Sequence, residues 1–129
     1  MNVMIVEDNA KMREMIKRFI IRQVDNVELI LESNDGAEAI EQYRQHRPDW
    51  VLMDVEMKPV DGIAAVNVIK KMDDHAKIIM VTSHGDTAIR AASQNAGALA
   101  FVLKEDLYQI PPIIAAAEKA QSHESEHPE

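Results

Sequence analysis

The sequence predicts an α/β fold: a doubly wound, five-stranded parallel sheet with five helices packed on its two faces. Three observations carry that prediction. Four of five short runs are almost unbroken in apolar residues, as strands covered on both faces require. The segments between them repeat apolar residues at helical spacing. Strand and helix patterns alternate from one end of the chain to the other, the signature of right-handed crossovers that leave helices on both sides of one sheet.

The first run, Asn2–Val6, is a strand and ends at Glu7-Asp8. Asn9 suits a helix N-cap, and Met12, Met15, Ile16, Phe19 and Ile20 follow at helical spacing. Val27–Glu32 is more mixed in polarity, which fits an edge strand. Asp35, three residues before Glu38, opens a second helix in a loose capping-box pattern, and Pro48 follows its end. Trp50–Met53 is a buried-type strand ending at Asp54. The stretch 54–62 carries Pro59 and Asp61-Gly62 and reads as a loop at the sheet edge. Ile63, Val66, Ile69 and Met72 mark a third helix. Lys77–Val81 is the fourth strand, ending at Thr82; Asp86 caps a fourth helix that Gly97 ends. Ala100–Leu103 is the fifth strand, ending at Lys104. A last helix starts near Pro111 or Pro112, because proline is tolerated in a first turn, and runs to about Ala120. The expected organisation is one domain over residues 1–121 and a flexible polar tail over 122–129.

Composition narrows the function. The 129 residues suit a single core, and a formal charge of -8 argues against direct binding to nucleic acid. Cysteine is absent, which rules out disulfides and thiolate metal sites. No apolar stretch reaches the ~20 residues that span a bilayer, and no signal-type segment opens the chain. A cytoplasmic protein without membrane attachment is expected.

Parallel strands place Glu7, Asp8, Asp54, Thr82 and Lys104 along one sheet edge, where open α/β folds bind ligands. Adjacent carboxylates repel unless a hard divalent cation joins them, and Mg²⁺ takes one or two carboxylates together with waters and a phosphate. Lys104 and Thr82 would add an ammonium and a hydroxyl to steady a transferring phosphoryl group. Asp54, ending the central strand, is the natural nucleophile for an acyl phosphate.

This ordered set, with Asp61-Gly62 after the acceptor loop, resembles the receiver domain of bacterial two-component response regulators over Asn2 to about Ala120. The resemblance implies the flavodoxin-like strand order 2-1-3-4-5. It implies that Asp54 accepts phosphoryl from a sensor histidine kinase or a phosphotransfer protein, with Thr82 and Lys104 gripping the phosphoryl oxygens. Glu7, Asp8, Asp54 and the Glu56 backbone carbonyl would hold Mg²⁺, with Mn²⁺ as an alternative ion. Thr82 and Phe101 would form the switch that relays the event to a face of the fourth helix, fifth strand and fifth helix. That face would meet a downstream protein, a fused output domain or a second copy in a homodimer. Glu56 and His84 would tune loss of the phosphoryl group. The other histidines, His46, His75, His123 and His127, are expected at the surface.

Such a domain is a phosphoacceptor rather than a turnover enzyme, either a stand-alone regulator or a receiver cut from a longer protein. Two alternatives remain: a phosphohydrolase working through an aspartyl phosphate, with Glu56 as its acid, and an interaction module that needs no phosphorylation. The sequence also departs from the family. Lys58 stands where members often carry proline, with Pro59 next, and Ser83 replaces a frequent alanine. Glu105 follows Lys104 where proline is usual, so a trans bond is expected there, since a non-proline cis bond costs about 2.5–4 kcal/mol. Lys104-Glu105-Asp106-Leu107 is similar to receivers of the LuxR type.

Overall fold

The computed structural model describes residues 1–125, with side chains through Gln121. Its strands are β1 (Asn2–Val6), β2 (Leu29–Ser33), β3 (Trp50–Met53), β4 (Ile78–Thr82) and β5 (Ala100–Leu103). Its α-helices are α1 (Ala10–Gln23), α2 (Gly36–His46), α3 (Gly62–Met72), α4 (Thr87–Ala96) and α5 (Ile110–Ser125). All strand pairs are parallel and the order is β2-β1-β3-β4-β5, as expected.

Alternation along the central strands explains the layers. Met4, Val6, Val51 and Met53 point into a core shared with α2, α3 and α4. Val3, Ile5, Trp50 and Leu52 point into a second core under α1 and α5. The starts of α1 to α4 are each fixed by a side-chain oxygen on a backbone N–H three residues on. Asn9 accepts from Met12, Asp35 from Glu38, Asp61 from Ala64 and Asp86 from Ile89. Gly97 closes α4 at φ 107°, a conformation that favours glycine. Arg47 ends α2 in the left-handed region at φ 45°.

Several boundaries differ from expectation. β2 starts two residues late because its pairing with β1 begins at Asn2–Leu29; just before it the Glu28 N–H donates to the Met1 carbonyl at 2.8 Å, outside the strands. β4 is displaced by one residue, since Thr82 still pairs with Leu103. α5 begins at Ile110, with both prolines inside its first turn where no N–H is missed. It also continues to Ser125, well past Ala120, through Glu118, Lys119 and Gln121, which are good helix formers. The rest of the expected tail, 126–129, lies outside the described residues. A 3₁₀ turn over Lys104–Gln109 joins β5 to α5. The bond after Lys104 is trans as expected, and among the described residues the cis bond is Lys58–Pro59.

At the end of the sheet remote from Asp54, α2 and α3 are stapled together. The buried Tyr43 hydroxyl donates to Asp73 Oδ2 at 2.7 Å, and Arg47 lies 3.7 Å from the same carboxylate. The Tyr43 bond, then the His75 N–H and Arg47, hold the Asp73 carboxyl below its ordinary value. An acid depressed in the folded state contributes stability above its unfolded pKa of about 3.9 and loses it as pH falls through the lower folded value. Tyr43→Phe is therefore expected to cost about 1 kcal/mol at neutral pH. Urea unfolding should show that deficit shrinking below pH 4; a deficit independent of pH would contradict the ionic character of the bond.

Candidate functional site

Register brings the acidic residues together. Val6 pairs with Met53, so the next residues, Glu7 and Asp54, leave β1 and β3 side by side. The ladder continues for one more bond at each: Asp54 N–H donates to Val6 O at 3.0 Å and Glu7 N–H to Ser33 O at 3.1 Å. Thr82 ends β4 fully buried, and Lys104 follows β5 and reaches back across the sheet edge. Glu7, Asp8 and Asp54 offer carboxylate oxygens that all lie within 4.8 Å of one another. The cavity they line, about 190 Å³, also includes Glu56, Thr82, Ser83, His84 and Lys104. Larger hollows along α1 and between α1 and α5, about 620 and 570 Å³, contain no member of this cluster. Size alone does not locate the chemistry here.

Glu7 is 1% exposed and Asp54 4%, a burial that ionised carboxylates tolerate only with compensation. Lys104 Nζ supplies part of it, 2.6 Å from Glu7 Oε1 and 3.4 Å from Asp54 Oδ2. The Glu7 Oε1 contact is a close ion pair with the ammonium. Oε2 accepts from the Asn9 N–H at 3.1 Å.

Burial raises the Glu7 carboxyl above its ordinary value; Lys104 and the Asn9 amide oppose this, Asp54 and Asp8 add to it, and the sum is upward. Burial likewise raises Asp54 against the pull of Lys104 and the Glu56 amide, with Asp8 adding to the rise. Burial alone would lower the Lys104 ammonium, but its contacts with Glu7 and Asp54 outweigh that and raise it. One ammonium thus faces three acidic groups. Three clustered carboxylates sharing one ammonium, an exposed Asp8 and an all-oxygen donor set fit a hard divalent cation of the Mg²⁺ type.

The sequence-derived residues are gathered here with one exception. Phe101 does not line the acidic cavity; it is half-buried, and Arg90 of α4 stacks on its ring at 4.6 Å. His84 and Glu56 are exposed at the mouth, with Nε2 and Oε1 3.2 Å apart, and the His84 N–H reaches Thr82 Oγ1 at 3.4 Å. His46 and His75 are exposed, whereas His123 and His127 lie outside the residues with described side chains. Sequence reasoning missed Arg13, whose Nη1 donates to the Glu7 carbonyl at 2.8 Å. A lone basic residue on a helix otherwise read for its apolar stripe gave no signal.

A family model described as the response regulator receiver domain matches residues 3–115. This chain belongs to the response-regulator receiver family. It is 37% identical over 117 residues to the chemotaxis protein CheY of Bacillus subtilis (strain 168), covering 91% of this chain and 94% of that one. Among solved structures, a LuxR-family two-component response regulator from Aurantimonas sp. SI85-9A1 is similar with TM-score 0.82 and 31% identity, covering 90% of this chain and 85% of that one. The CheX–CheY–BeF₃–Mg²⁺ complex from Borrelia burgdorferi contains a chain with TM-score 0.82 and 25% identity, covering 90% and 87%. The protein is a CheY-like receiver domain, and such domains are phosphoacceptor signalling modules. Among the described residues, no helix is long and apolar enough to cross a membrane.

Proposed function

We propose that this receiver takes a phosphoryl group onto Asp54 from the phosphohistidine of a sensor kinase or phosphotransfer protein in the cytoplasm. The observation that carries this reading is the buried Asp54 carboxylate, placed by β3 beside Glu7, Asp8 and the Lys104 ammonium. An Asp54 carboxylate oxygen attacks phosphorus, the P–N bond breaks, and the departing imidazole takes up a proton. Glu7, Asp8, Asp54 and the Glu56 carbonyl would hold Mg²⁺, or Mn²⁺ in its place. When bound, the ion supplies positive charge to the phosphoryl oxygens. Lys104 and the Thr82 hydroxyl share that task from the protein side and also fix the orientation of the group.

Incubation with Mg²⁺ and acetyl phosphate tests the reading by mass. The wild type should gain one phosphoryl group and Asp54→Asn none; unmodified wild type would favour an interaction module that works without phosphorylation.

Phosphorylation adds about -1.5 to -2 charges beside Thr82. Thr82 moving toward the new group would let Phe101 repack, altering the α4–β5–α5 face that a downstream protein, an output domain or a second copy reads. Arg90, stacked on Phe101, is the contact that must give way.

His84 and Glu56 close part of the mouth through which water reaches Asp54. His84→Ala is accordingly expected to leave phosphorylation intact and to shorten the aspartyl-phosphate half-life. A decay rate equal to wild type in a phosphate-release assay would remove His84 from this role.

A further inference from the structure

Asp8 is the exposed carboxylate of the acidic cluster, so its aim depends on the two peptides that flank it. Both are tethered. The peptide after it donates the Asn9 N–H to Glu7 Oε2 at 3.1 Å. The peptide before it offers the Glu7 carbonyl, which accepts from Arg13 Nη1 at 2.8 Å. Arg13 is itself fixed, since its Nε donates to Glu32 Oε1 at 3.2 Å, and Lys17 holds the other oxygen of that carboxylate at 3.2 Å. The Arg13 side chain is only 17% exposed. Burial works against ionisation of Glu32, but Lys17 and Arg13 prevail and hold its carboxyl below the ordinary value, which keeps the anchor charged. A planar guanidinium therefore spans from β2 to the turn after β1, with one nitrogen for each partner.

We infer that Arg13 is a positioning residue of the acidic site, holding the Glu7–Asp8 peptide so that the Asp8 carboxylate is aimed at a divalent cation. This rests on the Mg²⁺ reading proposed above. Outer groups that orient metal ligands typically matter by 10–100-fold in affinity.

Charge and position make opposite forecasts, which makes the inference testable. If Arg13 acted only as a nearby positive charge, its removal would strengthen cation binding. As a positioning group, its removal weakens binding. Calorimetric Mg²⁺ titration of the full chain should show Arg13→Gln binding roughly tenfold more weakly than wild type. Arg13→Lys keeps the charge but loses the fork, and should also bind more weakly. Glu32→Gln keeps Arg13 and removes its charged anchor, so its affinity should fall by less. Urea unfolding checks that each variant is folded, and Arg13→Lys decides the matter if Arg13→Gln does not fold. Affinity equal to wild type in Arg13→Lys, or tighter binding in Arg13→Gln, overturns the inference alone. A wild type that binds no Mg²⁺ overturns the metal reading and this inference with it.

Discussion

Gly62→Ala is expected to unseat Asp54, the proposed acceptor, and to cost about 3 kcal/mol of stability. Gly62 opens α3, and its N–H donates to the Val55 carbonyl at 2.9 Å. A Cβ there would overlap the Asp54 carbonyl oxygen and lie 2.8 Å from the carbonyl carbon, with Val55 Cα at 3.0 Å. All these atoms are backbone, so no side-chain rotation relieves the clash. Either α3 retreats from the sheet or the Asp54–Val55 peptide moves. The second outcome misplaces the proposed nucleophile, and a displacement near 1 Å can cost on the order of a hundredfold in rate. Acetyl phosphate incorporation should therefore slow far more than the stability loss alone would cause. Asp61→Ala is the control: it removes the α3 cap, the bond from the Ala64 N–H, for about 1 kcal/mol without adding a Cβ against the Asp54 carbonyl. Normal stability and normal incorporation in Gly62→Ala would show that this close approach does not govern the site.

The same glycine illustrates which parts of the molecule the sequence reveals. Asp61-Gly62 was readable as a turn into a helix, but the contact with Asp54 arises only when α3 packs under the loop. Strand ends were legible because apolar runs stop at Glu7, Asp54, Thr82 and Lys104, and parallel pairing forces those stops to one edge. N-caps were legible because each is a local bond between a side chain and an amide three residues away. Strand starts were less so, since β2 begins where its neighbour begins rather than where its own apolar residues do. Distances between non-neighbouring side chains were not legible at all. Lys104 leaning on Glu7 more closely than on Asp54, Arg13 on the Glu7 carbonyl, and Arg90 on Phe101 each require tertiary placement. The family resemblance assigned Phe101 a switch role without disclosing the cation that covers it.

The closeness of Lys104 to Glu7 has the second large consequence. Lys104→Met removes the ammonium from a cluster in which two of three carboxylates are buried. Breaking a buried ion pair from one side leaves an uncompensated charge, and the expected cost is about 3 kcal/mol in chelator at neutral pH. The pH dependence has a definite sign. Glu7 and Asp54 already have raised folded values, mainly from burial, and loss of Lys104 removes a counter-effect on both. An acid whose folded pKa exceeds its unfolded value binds its proton more tightly in the folded state. Protonation therefore relieves the variant, and its deficit should narrow as pH falls through the raised folded values and be full above them. A divalent cation should relieve it in the same way. With the competing ammonium gone, the carboxylates attract Mg²⁺ more strongly, and a ligand at free concentration L that binds only the folded state stabilises it by RT ln(1 + L/Kd), more for tighter binding. Urea unfolding with and without Mg²⁺ should thus show a larger metal-induced gain in Lys104→Met than in wild type, while phosphoryl incorporation should fall through loss of the charge proposed to grip a phosphoryl oxygen. Equal stability of the two proteins in chelator would mean that Lys104 does not compensate the buried pair. Equal Mg²⁺ gains would mean that the ammonium and the cation do not share one set of oxygens.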